Sequence, residues 1–251
     1  MNTHIHNASD CSSFDLPAMS TNTPPVLRAI SSMATRAVLA ELVQAWQQQG
    51  GRPVALESVG GVDAARRVQA GEALDVVLLA SDAIAALIAG GHAVAGSQVD
   101  WVRSGTAVAV REGAALPDIG SEAALRTAVL QAVSIGYSTG PSGKALLQLF
   151  ARWGVAEQLA PRLVQARPGV PVGQLVARGE AALGFQQRSE LMHVPGITVV
   201  GELPPAVAID TVFSGALVAG GRDEAAVRQF LAFLAGPQAA AAKQRQGMRP
   251  L

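Results

Sequence analysis

From residue 26 onward, short apolar runs of strand type alternate with stretches whose apolar positions recur every three to four residues. Residues 26–31 read as a strand. A helix is predicted over 35–49, with Val38, Leu39, Leu42, Val43 and Trp46 on one face and Gly50 and Gly51 ending it. A strand over 53–59, a helix over 62–70 closed by Gly71 and a strand over 75–79, apolar after Asp75, continue the order. Ser81 and Asp82 offer an N-cap for a helix over 83–89, which Gly90 and Gly91 stop.

A second series begins at 105–110, with a strand over 132–137 and a helix over 144–153 whose apolar face is Ala145, Leu146, Leu149, Phe150 and Trp153. Segments 163–166, 170–178, 182–185 and 197–200 keep alternating, broken by Pro168, Gly169, Pro195 and Gly196. After Pro204 and Pro205 come a long strand over 208–217 and two closing helices, 224–234 and 237–246, the latter opened by Pro237. This order predicts α/β layers with a largely parallel sheet.

Composition narrows the partners. The 251 residues are 49% hydrophobic and 15% charged, enough to bury one large core or two small ones. Nineteen basic residues balance nineteen acidic ones, so no overall field favours nucleic acid or an anionic membrane surface. No run of roughly 18 apolar residues supports membrane insertion. With one cysteine, Cys11, and four histidines, neither an internal disulfide nor a Cys/His zinc site is expected, and no cofactor is implied. Residues 1–25 are polar and rich in Ser, Thr, Asn and Pro, the composition of a disordered tail; His4 and His6 lie there without a third metal ligand. No export signal is visible and Cys11 follows polar residues, unlike a lipoprotein cysteine, so a cytoplasmic location is expected for the chain as given, and a periplasmic one if the true start lies upstream.

Three segments carry a family resemblance. QAGEALDVVLLASD at 69–82 resembles a block of the molybdate-type solute-binding proteins, in which a turn feeds a buried strand and then a helix start. LVARGEAALGF at 175–185 resembles that family's re-entry into its second lobe, and FLAGPQAAAAKQRQGM at 233–248 is similar to its closing helix pair. The resemblance implies an α/β, type II periplasmic-binding fold: two lobes, each a mixed sheet flanked by helices, joined by two crossover strands and closing on an anion. Residues 26–104 with 213–251 would form lobe 1 and 105–212 lobe 2, crossing near 103–106 and 210–214.

In such folds ligands sit at the carboxyl ends of strands, where helix N-termini aim free N–H groups at an anion. Four junction loops qualify: 31–36, 58–63, 137–144 and 184–189. Tyr137, Ser138, Thr139, Ser142 and Lys144 combine hydroxyls with a helix start, either cradling an anion or forming a capped turn with Ser142 as N-cap. Ser31 and Ser32 are candidate donors, with Ser32 or Thr35 alternatively capping the helix, and Arg36 lies in its first turn. Gly60 and Gly61 allow close backbone approach to an anion, or serve a turn that needs positive φ. Arg66, Arg103, Arg167 and Arg188 are further cations, each otherwise a surface arginine. Where the family holds its oxyanion with two serines and a tyrosine, this chain aligns Met33 or Ser32, Gly60 or Gly61, and Gln187. The donors retained suit a flat carboxylate better than a tetrahedral oxyanion.

The expected function is therefore small-anion binding, an organic carboxylate preferred over molybdate, with a transporter as partner if the protein is exported. An isomerase is the alternative, because aconitate isomerases resemble molybdate-binding proteins and act on a tricarboxylate by an allylic proton shift. Such a shift needs cations for the carboxylates, Arg36 and Lys144 being candidates, and a base, for which Glu57, Asp63 and Tyr137 are candidates. Glu57 is otherwise a solvent-facing strand residue and Asp63 a partner of its helix dipole.

Overall fold

The computed structural model describes Met1 and residues 25–251; the tail, His4, His6 and Cys11 lie outside the described residues. Strands β1 (Leu27–Ser32), β2 (Val54–Val59) and β3 (Val76–Ala80) run parallel in the order β2-β1-β3. Three helices follow them: α1 (Arg36–Gln48), entered through a 3-10 turn at Met33–Thr35, α2 (Gly61–Gln69) and α3 (Ser81–Ala89). Gly50, at φ +81°, ends α1 in the left-handed region that suits glycine. Ala80 occupies the cap position of α3, one residue before the expected Ser81, and Asp82 instead accepts from the Ala83 N–H.

The strand expected over 105–110 is only half of a longer one. β4 (Val99–Arg111) pairs antiparallel with β9 (Asp210–Leu217) through Gly105, and from Thr106 pairs instead with β7 (Leu183–Gln187) and β8 (Ile197–Glu202). Polar Asp100, Arg103 and Ser104 hide its first half from a hydrophobicity reading. β4 thus carries the sheet from one lobe into the other. Beyond it lie α4 (Glu122–Gln131), which the apolar pattern did not reveal, β5 (Ile135–Tyr137), α5 (Pro141–Arg152), α6 (Ala156–Leu159), β6 (Leu163–Gln165) and α7 (Val172–Ala177). α8 (Arg188–Leu191) follows β7 directly. The chain closes with α9 (Glu224–Ala235), a 3-10 turn at Pro237–Ala239, α10 (Ala240–Arg245) and β10 (Arg249–Pro250).

The sheet order is β2-β1-β3-β9-β4-β7-β5-β6, with β8 and β10 also on β4. It is mixed rather than largely parallel. β5 runs parallel to β6 and β7, but β9 enters against β3 and β4 runs against β7, β8, β9 and β10. The reason is that two strands must cross between lobes, and a crossing strand that returns runs opposite to its partner. The result is a two-lobed α/β fold. Trp101, Phe230 and Leu39 are fully buried in the first lobe, Phe150 and Phe185 in the second. Each such side chain contributes about 1.5–3 kcal/mol by leaving water.

Candidate functional site

The carboxyl ends of the parallel strands converge on the junction between lobes. β1 ends at Ser32 and β2 at Val59, while β5 ends at Tyr137 and β7 at Gln187. The lobes touch where Ser189, second residue of α8, donates to the Ala34 carbonyl oxygen at 2.9 Å; its hydroxyl also lies 3.4 Å from that of Ser104.

Ser31 and Ser32 are both buried. The Ser31 hydroxyl is taken up by Ser58 at 2.8 Å, whereas Ser32 Oγ makes no hydrogen bond among the described residues. Neither Ser32 nor Thr35 caps with its side chain: Thr35 Oγ1 donates back to the Ser32 carbonyl at 3.2 Å. Gly60 caps α2 at φ −57°, and Gly61 is absent from the positive-φ glycines, so neither needs that conformation. A Cβ on Gly61 would instead face Ser32 Cβ at 3.7 Å, so its bareness leaves room beside the free hydroxyl.

Gly140, not Ser142, takes the cap position of α5, with Pro141 in the first turn. Ser142 is buried and its hydroxyl pairs with Ser138 at 3.1 Å; Thr139 is half-buried and Lys144 exposed. Tyr137 is half-buried against the second core. The segment 184–189 is no loop: it is strand through Gln187 and helix thereafter. Gln187 is buried, donates to Thr211 Oγ1 at 2.6 Å and keeps its Oε1 unpartnered, as does Thr106 Oγ1 on the facing strand position. Three buried, unbonded polar atoms thus belong to residues at this junction, an arrangement that costs stability unless a ligand or water completes it.

The carboxylates expected to act as bases stand apart. Glu57 is exposed and gripped by both arms of Arg67 at 2.7 Å, and that hydrogen-bonded pairing holds its carboxyl below the usual range. Asp63 pairs with Arg66 at 2.7 Å on the surface of α2. Arg103 lies 3.9 Å from Asp210 and Arg188 3.7 Å from Glu202, both at the crossover, and Arg167 is exposed.

A cavity of about 540 Å³ opens between α1 on one lobe and α7 and α8 on the other. Its walls include Met33 and Arg36 on the first side and Gln174, Arg178, Ser189, Glu190 and His193 on the second. Arg36 makes no ion pair among the described residues, and Arg178 has only Glu180 at 3.9 Å. Glu190 is half-buried, and burial pushes its carboxyl up to about 7 against the opposing hydrogen bond from Gln186. A smaller depression of about 330 Å³ on α4 holds one carboxylate, Asp118, and no cation. Of the residues expected as ligand contacts Arg36 lines the larger cavity, joined by Met33, the position aligned with a family serine, and by Ser189 of the segment 184–189. Arg178, Glu190 and His193 were missed. Glu190 falls three residues past the end of β7 and one beyond the junction segment 184–189 singled out in the sequence, and its cavity neighbours Arg36 and Arg178 come from other parts of the chain.

Among the described residues, no helix is long and apolar enough to cross a membrane. The family model for bacterial extracellular solute-binding proteins matches residues 27–249. A protein named aconitate isomerase from Pseudomonas sp. is 36% identical over 243 residues, covering 94% of this chain and 92% of that one. Among solved structures, the periplasmic molybdate-binding protein of Azotobacter vinelandii superposes with a TM-score of 0.73 at 21% identity, covering 88% of this chain and 98% of that one. The sulfate-binding protein SubI of Mycobacterium tuberculosis gives a TM-score of 0.73 at 16% identity, covering 90% of this chain and 87% of that one. These two carry the fold alone, and it is the type II periplasmic-binding architecture. By the extent of its match and the arrangement of its two lobes, the chain belongs to the bacterial extracellular solute-binding protein family.

Proposed function

We propose that this protein binds a small organic polycarboxylate between its lobes and isomerises it, in the manner of an aconitate isomerase. The observation that carries this reading is the 36% identity to a protein of that name, extending over 94% of the chain. The cleft chemistry supports it: Arg36 and Arg178 approach one cavity from opposite lobes, and its volume of about 540 Å³ suits a small ligand. An allylic shift of this kind moves one proton and one double bond, so it requires cations, a base and exclusion of water, and no redox partner. The unbonded Ser32 Oγ and Gln187 Oε1 are further ligand contacts in this reading, with Ser31, Gly60, Gly61 and Ser138 to Lys144 closing the strand ends around them.

The division into residues 26–104 with 213–251 and residues 105–212 belongs to the same proposal. A second reading, simple binding for delivery to a transporter, is favoured by the family match over 27–249. One measurement series separates the two. Thermal denaturation with cis-aconitate, trans-aconitate, citrate, molybdate and sulfate is expected to show stabilisation by the aconitates, about 2.7 kcal/mol at a hundredfold excess over Kd. Proton NMR of the purified protein with cis-aconitate is expected to show the trans isomer appearing. Stabilisation by molybdate alone, without turnover, would reject the isomerase reading in favour of oxyanion delivery.

A further inference from the structure

We propose that Glu190 is the catalytic residue that moves the proton in this cavity, an inference that rests on the isomerase reading. Three features of its setting point there. Glu190 lies in the wall of the interlobe cavity, in company with Arg36 and Arg178, so a bound polycarboxylate is brought to it by two cations. Its Oε1 accepts from Gln186 Nε2 at 2.8 Å, while Gln186 Oε1 accepts from the Val172 backbone N–H at 2.7 Å. The second bond fixes which end of the amide faces Glu190, so that carboxyl is held in one orientation by a buried, preoriented donor. Oε2 takes no hydrogen bond from a described residue, which leaves it for substrate.

The alternatives in this chain lack that combination. Glu57 and Asp63 are spoken for by arginines and do not line the cavity, and His193, which does, is exposed and bonded through Nε2 to Gln246 at 2.7 Å. A base must be ionised yet unpaired, and near neutrality in proton affinity, to take a proton from carbon and give it back. Burial places Glu190 at about 7. The charged and titratable groups that share the cavity with it are Arg36 of α1, Arg178 at the C-terminal end of α7 and His193 beyond α8. What sets its proton affinity is burial, opposed by the Gln186 hydrogen bond.

The step balances without a co-reactant. Glu190 carboxylate takes a proton from the methylene beside one substrate carboxylate; the electron pair of that C–H bond becomes the new C=C bond, and the old C=C pair moves to the far allylic carbon. That carbon takes the proton back from Glu190, which returns to carboxylate.

The test uses the full chain and the Glu190→Gln variant, which keeps the size and the hydrogen bond to Gln186. Stabilisation by cis-aconitate is expected to persist while kcat for isomerisation falls about 10²–10⁴-fold. The parent is expected to show a limb near pH 7 in kcat/KM that the variant lacks, and to exchange substrate methylene hydrogens in heavy water. A variant that isomerises within tenfold of the parent overturns the assignment and leaves the isomerase reading intact. A parent that neither isomerises nor exchanges overturns both. Should Glu190→Gln fail to fold, Glu190→Asp decides: it retreats the carboxylate by one methylene, and turnover equal to the parent's overturns the assignment.

Discussion

Two buried charges show how strongly partners decide what burial costs. Asp75 is 3% exposed, and burial alone would raise its carboxyl, yet N–H groups of Arg28 and Arg222 at 2.8 and 3.0 Å and the Arg222 guanidinium hold it below its ordinary value. Lys243 is fully buried with no such help: its Nζ has no hydrogen-bond partner among the described residues and meets only the Trp101 ring, 5.9 Å to the centroid. Burial accordingly lowers it to about 8. The folded protein therefore releases this proton more readily than the unfolded chain, whose lysines titrate near ~10.4. Stability drops as pH falls from that value towards 8 and stays reduced below it. Lys243→Met, of similar length and no charge, is expected to stabilise the protein at pH 7 by roughly 1–4 kcal/mol, with the advantage shrinking as pH rises above 8 and gone beyond pH ~10.4. Thermal melts of both proteins at the two pH values check this, and equal melting at pH 7 would mean that the lysine has a partner.

At the scale of elements, Gly143 decides whether the Tyr137-to-Lys144 turn can exist. The chain folds back so tightly that a Cβ on Gly143 would overlap the Ser138 carbonyl oxygen, a backbone atom that cannot swing aside. Gly143→Ala is thus expected to displace the Ser138 and Ser142 hydroxyls, destabilise the fold by roughly 1–3 kcal/mol and weaken ligand binding; denaturant titration and calorimetric titration with cis-aconitate would read the two effects. The sequence motif singled out this turn, but not why its second glycine is needed, because close approach is a tertiary fact. The same divide runs through the rest of the chain. Helices α1, α5 and α9 were legible because their apolar faces are continuous: Val38, Leu39 and Leu42, then Leu146, Leu149 and Phe150, then Val227, Phe230, Leu231 and Leu234 are all buried. α4 was not, because only Leu125 and Val129 of its ten residues are buried, too few to set a period. The first half of β4 was hidden by its polar crossover residues. The candidate strand-end hydroxyls were legible from turn chemistry, whereas Arg178 and Glu190 join Arg36 in one cavity only when the ends of α7 and α8 are set against α1.

At the scale of the whole molecule, the two lobes keep separate cores. The buried apolar clusters of the first lobe, around Leu39, Trp101 and Phe230 and around Val77 and Ile84, share no residue with those around Phe150, Val176 and Ala109 in the second. The bonds between the lobes include the Ser189 bond to Ala34, the His193 bond to Gln246 and a set of partly exposed ion pairs in which Arg249 reaches Glu202 and Asp210. Exposed ion pairs of this kind are worth about 0–1 kcal/mol each, so separating the lobes sacrifices little. A ligand closes them only through a difference in affinity between the open and closed states. In the proposed reading Arg36 and Arg178, which line the cavity from its two sides, supply that difference for a polycarboxylate. Saturating cis-aconitate is therefore expected to reduce the radius of gyration in small-angle scattering. Arg36→Ala and Arg178→Ala should each weaken binding at least tenfold, by analogy with the loss of about 2–5 kcal/mol when one partner of a bonded charge pair is removed. Both side chains are exposed, so the ligand-free variants should melt within about 0.5 kcal/mol of the parent. If compaction survives removal of both arginines, closure is driven from the strand ends instead, by the unbonded groups of Ser32 and Gln187.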